Sequence, residues 1–251
     1  MDAIVEALVE QQGELAGLLD GLSESGWQAP TRCEGWDVSD VVLHVAQSNE
    51  LALGSASGRF AEVSEELTRG MGSATSIDDG AAMMVEGQRG MPPAELLARW
   101  TMGAAGLVNV LTSMDLSTRV SWVAGDLSAR TLATTRLAET WIHAGDIAEA
   151  LDVELVPTNR LRLISRLAWR TLPYAFASAG RTMAGPVAFQ LVSPSGEAWD
   201  FLPDETAVTT IRGSAVELCA VAARRLDPSS TSLIGEGPDA AAVLALVRTY
   251  A

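Results

Sequence analysis

Residues 136–146 read Arg136-Leu-Ala-Glu139-Thr-Trp-Ile-His143-Ala-Gly-Asp146, with Glu139 and His143 four positions apart. On an α-helix four residues advance about 400°, so the two side chains share one face, one turn apart. The 251-residue chain contains one other histidine, His44. It falls near the middle of a different predicted helix, with Asp40, Gln47 and Ser48 as face-mates. Two neutral imidazoles and one carboxylate are a common ligand set for catalytic zinc, leaving positions for water or substrate. An ordinary Glu–His surface pair and a packed histidine account for the same spacing. On spacing alone both readings stay open.

Outward from this stretch the pattern is helical. Ser128 is placed to cap a helix running to about Leu151, entered from the loop Ser121-Trp-Val-Ala-Gly-Asp126. Apolar residues at Ile4, Leu8, Leu15, Leu18, Leu19 and Leu22 mark a first helix over about 3–22. Residues 26–36, rich in Gly, Pro and Trp, do not continue it. Asp37, with Asp40 three residues on, caps a second helix to about Ala56, whose buried face is Val38, Val41, Val42 and Val45. Residues 60–91 read as a loop with some helix. Pro92-Pro93 opens a third long helix from Ala94 to about Met114. Long helices separated by loops read as an antiparallel bundle, in which sites are built from side chains on facing helices.

After Pro157 the character changes. A helix is expected over about 159–179, then strands at 187–192 and 198–202 around the turn Pro194-Ser-Gly196. A strand at 207–211, a helix at 214–224, a strand at 232–234 and a last helix from Pro238 complete a small α/β unit. The expected division is 1–155 and 156–251, with the boundary somewhere within 152–185.

Composition narrows the function classes. The hydrophobic share of 48% suits a packed core. No apolar run is long enough to span a bilayer. The formal charge of −15 argues against nucleic acid and anionic membrane surfaces as partners. All 17 basic residues are Arg, which excludes a lysine Schiff base and a standard P-loop. The opening Met-Asp-Ala-Ile-Val-Glu lacks the pattern of a secretory signal, and Cys33 and Cys219 are too few for a disulfide framework. A reduced, cytoplasmic protein is expected.

Two longer motifs carry a resemblance. Trp27-x2-Pro30-Thr31-x-Cys33-x-Gly35-Trp36-x-Val38-x-Asp40-x3-His44, followed by Arg136-x2-Glu139-x3-His143-x2-Asp146, resembles the mycothiol-dependent maleylpyruvate isomerase family, within the DinB-like metal-binding superfamily. The resemblance implies an α+β protein: an N-terminal DinB-like four-helix bundle, then a small C-terminal α/β domain similar to sterol-carrier proteins. It implies His44, Glu139 and His143 as ligands of Zn²⁺ or another divalent metal. It also implies mycothiol as thiol co-substrate, activated as a thiolate against a small electrophile. A transferase would leave a thioether; an isomerase would add the thiolate to a cis-alkene reversibly. A monomer or homodimer is expected.

Around those ligands further residues become candidates. Asp146 lies about 20° off the face of Glu139 and suits a hydrogen bond to a ligand imidazole, or a solvated or packing role. Arg136 would steady Glu139 or recognise an anionic substrate, and an ordinary intrahelical ion pair is the alternative. Trp36, Trp122 and Trp141 read as core or loop anchors, with Trp122 the exception as a candidate substrate contact, because its loop opens the ligand-bearing helix. Gln47, with Asp40 and Ser48, is a candidate for the pocket wall. In the family a C-terminal-domain arginine is implicated in binding the diacid substrate, which points here to Arg224 ahead of Arg225; a helix C-terminus explains the same pair. Cys33 as a fourth ligand would close the site, and Cys219 reads as buried. Two other functions stay in view: metal-assisted hydrolysis with Asp146 or Asp40 as base, and a non-enzymatic small-molecule carrier with a structural metal.

Overall fold

The computed structural model describes residues 1–249 and divides into two compact units, meeting in the chain at Leu155 and Val156. The first unit contains α1 (Ala3–Leu19), α2 (Glu24–Trp27), α3 (Val38–Ala56), α4 (Phe60–Leu67), α5 (Ile77–Glu86), α6 (Pro93–Ser113), β1 (Arg119–Val120), β2 (Leu127–Ser128) and α7 (Ala129–Ala150). Its long helices pack in a closed set: α3 on α6 and α7, and α1 on α6 and α7. Side-chain caps start three of them. Asp2 accepts from the Ile4 amide, Asp37 and Asp40 form a reciprocal capping box at α3, and Ser128 accepts from the Thr131 amide at α7. The first helix stops three residues short of the expected end. Gly21, at φ +64°, turns the chain there.

Helix α3 sits at the centre. It also contacts α4 and α5 and is buried on nearly every face, which its run of Val38, Val41, Val42, Leu43 and Val45 allows. These residues join Leu15, Leu19, Trp27, Trp100 and Ile147 in one core cluster. Each buried side chain of this size contributes roughly 1.5–3 kcal/mol. The 60–91 stretch is more ordered than its composition suggests, because α4 and α5 form within it and pack on α3. Before α7, β1 and β2 pair antiparallel, Arg119 with Ser128 and Val120 with Leu127. That pairing makes the expected loop, 121–126, the tip of a small hairpin.

The second unit contains α8 (Leu161–Arg170), α9 (Leu172–Ser178), β3 (Val187–Val192), β4 (Ala198–Phe201), β5 (Thr209–Ser214), α10 (Ala215–Ala222), β6 (Ile234–Glu236) and α11 (Ala240–Leu246). The single helix expected over 159–179 is two. Pro173 has no N–H for the preceding turn, and the break falls at Thr171. The sheet order is β4-β3-β5-β6. Strands β3 and β4 form a hairpin turning at Gly196 (φ +87°), β3 and β5 run parallel, and β6 is an antiparallel edge. Strands β5 and β6 lie two or more residues later than the periodicity suggested. Short strands with few alternating residues leave register to tertiary pairing. The chain is thus a mixed helix-and-sheet protein with small sheets. No helix among the described residues is long and apolar enough to cross a membrane.

Candidate metal centre

Facing helices α3 and α7 bring the three implied ligands together. His44 Nε2 lies 2.8 Å from Glu139 Oε1, and His143 Nε2 lies 3.5 Å from the same oxygen. The imidazole rings meet almost edge-on, with centroids 4.9 Å apart and planes at 78°. All three side chains are 15% exposed or less, so this is an interior cluster and not a surface pair. Glu139 and His143 reach it together because four residues return to one helix face. His44 reaches it because α3 packs directly on α7.

Behind the cluster, His143 Nδ1 is 3.0 Å from Asp146 Oδ2, which fixes which ring nitrogen faces Glu139. The same carboxylate oxygen accepts from the Cys33 thiol at 3.3 Å. Cys33 therefore stands beside Asp146 and His143, forming a second group of potential donors that shares His143. Trp36, read from sequence as an anchor, packs its ring against His44 at a tilt of 46°, with centroids 5.3 Å apart. It also lines a cleft of about 660 Å³ together with Trp27, Asp37, Asp40, Leu43 and Arg89. The three clustered donors are not in the cleft wall.

The electrostatics follow from burial opposed by hydrogen bonds. Burial would raise the Glu139 carboxyl, but hydrogen bonds from His143 and His44 and the nearby charge of Arg136 outweigh it and hold the group well below the usual range. Burial disfavours charge on His143, yet Asp146, Cys33 and Glu139 together hold its imidazole well above the ordinary value. His44 goes the other way. Burial dominates its single hydrogen bond to Glu139, so its pKa is lowered and the ring is kept neutral.

The residues fit a divalent cation. Two imidazole Nε2 atoms converge on one carboxylate oxygen, a nitrogen–nitrogen–oxygen set of the kind that binds zinc. The donor atoms lie within 4.8 Å of one another. Asp146 already occupies the far nitrogen of His143, as carboxylates behind metal-bound histidines do.

The other candidates separate. Arg136, one turn before Glu139, is buried at 6% exposure and lies 4.8 Å over the Trp122 ring. Its Nε and Nη1 have no hydrogen-bond partner. Gln47 does not join the cluster: its Nε2 donates to the Met84 carbonyl at 2.8 Å and to Gln88 at 3.1 Å, fastening α3 to α5. Asp40 closes the α3 cap and pairs with Arg89 at 3.0 Å, while Ser48 bonds back to Val45. Trp141 lies on α7 between Glu139 and His143. In the second unit Arg224 follows α10 in a left-handed conformation (φ +60°), exposed, with Nη1 donating to the Ala245 carbonyl at 2.8 Å. Arg225 Nη1 donates to the Ala223 carbonyl at 3.2 Å. Cys219 is fully buried against Ser165.

The model of the mycothiol maleylpyruvate isomerase N-terminal domain matches residues 8–148, a span that contains all three clustered donors. Two proteins of Mycobacterium tuberculosis, from strains CDC 1551 / Oshkosh and ATCC 25618 / H37Rv and both described as uncharacterized, are 30% identical over 248 residues. These alignments cover 98% of this chain and 95% of theirs. Crystal structures of the mycothiol-dependent maleylpyruvate isomerase and of a mutant of it share the fold, at a TM-score of 0.60 and 19% identity over 94% of each chain. The protein is thus an enzyme of the transferase or isomerase type. More narrowly, the chain belongs to the mycothiol maleylpyruvate isomerase family.

Proposed function

We propose that this enzyme uses a low-molecular-weight thiol, mycothiol first among them, against a small electrophile, with His44, Glu139 and His143 holding zinc or a similar divalent cation. The observation behind this reading is the convergence of two Nε2 atoms on Glu139 Oε1 inside the protein. A bound cation of this kind supplies stabilisation of a thiolate, so that a weakly acidic thiol becomes a nucleophile at neutral pH. The chain's own residues do the rest. Glu139 stays ionised and contributes its negative charge. Asp146 orients His143 through Nδ1, and Trp36 backs the His44 ring. Burial of the cluster limits water around it.

In this reading the four long helices are a DinB-like metal-binding bundle and the second unit is similar to sterol-carrier proteins. Arg224 is the residue of that unit assigned to the substrate, as a guanidinium suited to a carboxylate. The cytoplasm is the expected location. Metal-assisted hydrolysis is less well supported, because Asp146 Oδ2 already accepts from His143 and Cys33, and Asp40 is engaged by Arg89. Neither is a free general base.

Elemental analysis of the purified chain is expected to find about one zinc or similar ion per molecule, lost in His44→Ala and His143→Ala. Full occupancy in both variants would remove the ligand assignment. With Co²⁺ substituted, mycothiol is expected to produce a sulfur-to-metal charge-transfer band. A spectrum unchanged at saturating thiol would remove the thiol mechanism.

A further inference from the structure

Cys33 brings a sulfur to the far side of the cluster, and the local fold holds it there. Its loop, between α2 and α3, turns tightly. The Thr31 amide donates to the Trp36 carbonyl at 3.0 Å, the Trp36 amide to the Cys33 carbonyl at 2.9 Å, and Gly35 adopts φ +75°. Thr31 Oγ1 accepts from the Cys33 amide at 3.2 Å. Arg32, the preceding residue, pairs with Glu149 at 3.0 Å and so ties the loop to α7, one turn past Asp146. Supports of this kind fix a donor before any ligand arrives.

Three donors of different kinds meet at that point. Asp146 Oδ2 lies 3.3 Å from Cys33 Sγ and 3.0 Å from His143 Nδ1. The three donor atoms all lie within 4.8 Å of one another. Around a tetrahedral zinc, usual bond lengths set such donors about 3.3–3.7 Å apart. The observed separations need little change to meet that. A hydrogen-bonded chain accounts for the contacts as they stand, and a cation replacing the thiol proton uses the same three atoms.

We propose that Cys33 Sγ, Asp146 Oδ2 and His143 Nδ1 form a second cation seat, selective for a thiophilic ion such as Cd²⁺, whose filling takes His143 away from His44 and Glu139. The seat stands on this donor group alone; the withdrawal of His143 rests on the reading of the first cluster as a metal centre. The entering ion releases the Cys33 thiol proton to solvent. Neutral imidazole carries one N–H and one lone pair. With Nδ1–H turned to Asp146, the Nε2 lone pair serves the first cluster. With an ion on Nδ1, the proton resides on Nε2 and faces Glu139 Oε1, 3.5 Å away. One ring therefore serves one seat at a time.

Selectivity follows from the donors. The first cluster offers two nitrogens and an oxygen, whereas the second replaces one nitrogen by sulfur, and thiolate favours soft ions. Cys33 is partly exposed, so an ion from solvent meets the sulfur first. A thiophilic ion thus disables the first centre by withdrawing one of its ligands.

The test titrates the full-length chain with Cd²⁺ alone and reads the ultraviolet sulfur-to-cadmium charge-transfer band. In the zinc-loaded wild type, one equivalent is expected to develop the band in full and to release zinc one for one. Metal-stripped His44→Gln and Glu139→Gln, which keep the sulfur seat, are expected to show the same band, with cadmium affinity within threefold of the stripped wild type. Cys33→Ser is expected to lose the band. Cys33→Ser combined with His44→Gln should bind cadmium at least tenfold more weakly than His44→Gln. Cys219→Ala, whose sulfur lies in the second unit, should leave the band unchanged.

Loss of the band in either first-cluster variant that keeps the wild-type circular dichroism overturns the proposal, since sulfur would then complete the first centre. A band that survives Cys33→Ser overturns it as well, as does a cadmium affinity that Cys33→Ser leaves within twofold in the His44→Gln background. Zinc and cadmium held together, two ions per chain, overturn the exclusion of one seat by the other. A chain that takes cadmium through Cys33 yet holds no zinc leaves the seat standing and defeats the zinc reading. Zinc held by the wild type and lost in His44→Gln, with no cadmium–sulfur band in either, does the reverse.

Discussion

The two units bury different chemistry. In the second, the interior is apolar: Phe176, Phe189, Ile211, Leu218 and Cys219 are all 1% exposed or less. Its buried polar groups include Asp239, which has ordinary structural partners, accepting from the Ala184 amide at 2.6 Å. In the first unit, α3 and α7 bury Asp40, His44, Gln47, Arg136, His143 and Asp146 alongside the valines and leucines. Replacing such a stripe by packed apolar residues is often neutral or stabilising. A buried polar stripe is thus a weak source of stability, and the cluster proposed to hold a cation lies within it.

The sharpest way to test this contrast is to damage the apolar interior alone. Phe189 is fully buried on β3, and Phe189→Ala is expected to destabilise the second unit by about 3–5 kcal/mol through lost burial and a cavity. Because no clustered donor comes from that unit, zinc content should stay near wild type under native conditions. Calorimetric melting with parallel metal analysis checks both halves. Loss of zinc in a variant that is still folded would break the contrast.

The polar interior should answer differently. Asp146 is 1% exposed and orients His143, so Asp146→Asn is expected to weaken metal affinity by about 10–100-fold, the range found when carboxylates behind metal-bound histidines are replaced. The measurement is competition with a chromophoric chelator. An affinity within twofold of wild type would mean that Asp146 only packs, and Cys33, which donates to the same oxygen, would become the next residue to test.

Legibility in the sequence followed distance along the chain. Glu139, His143 and Asp146 were readable because helix periodicity sets their common face, and the caps at Asp37 and Ser128 were readable for the same local reason. His44 stood out as the chain's other histidine, but only motif resemblance joined it to the α7 pair, since no local rule says that α3 packs on α7. The rest depended on contacts between distant residues. Cys33 meets Asp146 across 113 positions, and Gln47 is taken up by Met84 and Gln88 on the far side of a stretch read mainly as loop. The isolation of Arg136 is invisible in sequence, because a missing partner is a property of packing. Pro173 is a different case. Its break in the 159–179 helix was written in the residue itself, and the apolar periodicity around it masked the signal.

The smallest expected effect concerns the two thiols, one in each kind of interior. Burial raises Cys219, only partly offset by its hydrogen bond with Ser165, to a pKa of about 12. An unfolded cysteine titrates near 8.5. Between those values the folded chain holds a proton that the unfolded chain releases, so stability falls as pH rises. By pH 9.5 the loss is about 1.4 kcal/mol relative to neutral pH, from the unfolded thiol alone. Cys219→Ala should abolish that component, leaving a shallower alkaline decline in chemical denaturation of the second unit. Cys33, partly exposed and held among polar groups, should react with iodoacetamide in the native protein, whereas Cys219 should react only after unfolding. Equal alkaline slopes with and without Cys219, or native labelling of Cys219, would mean that the second interior is less tightly closed than its packing indicates.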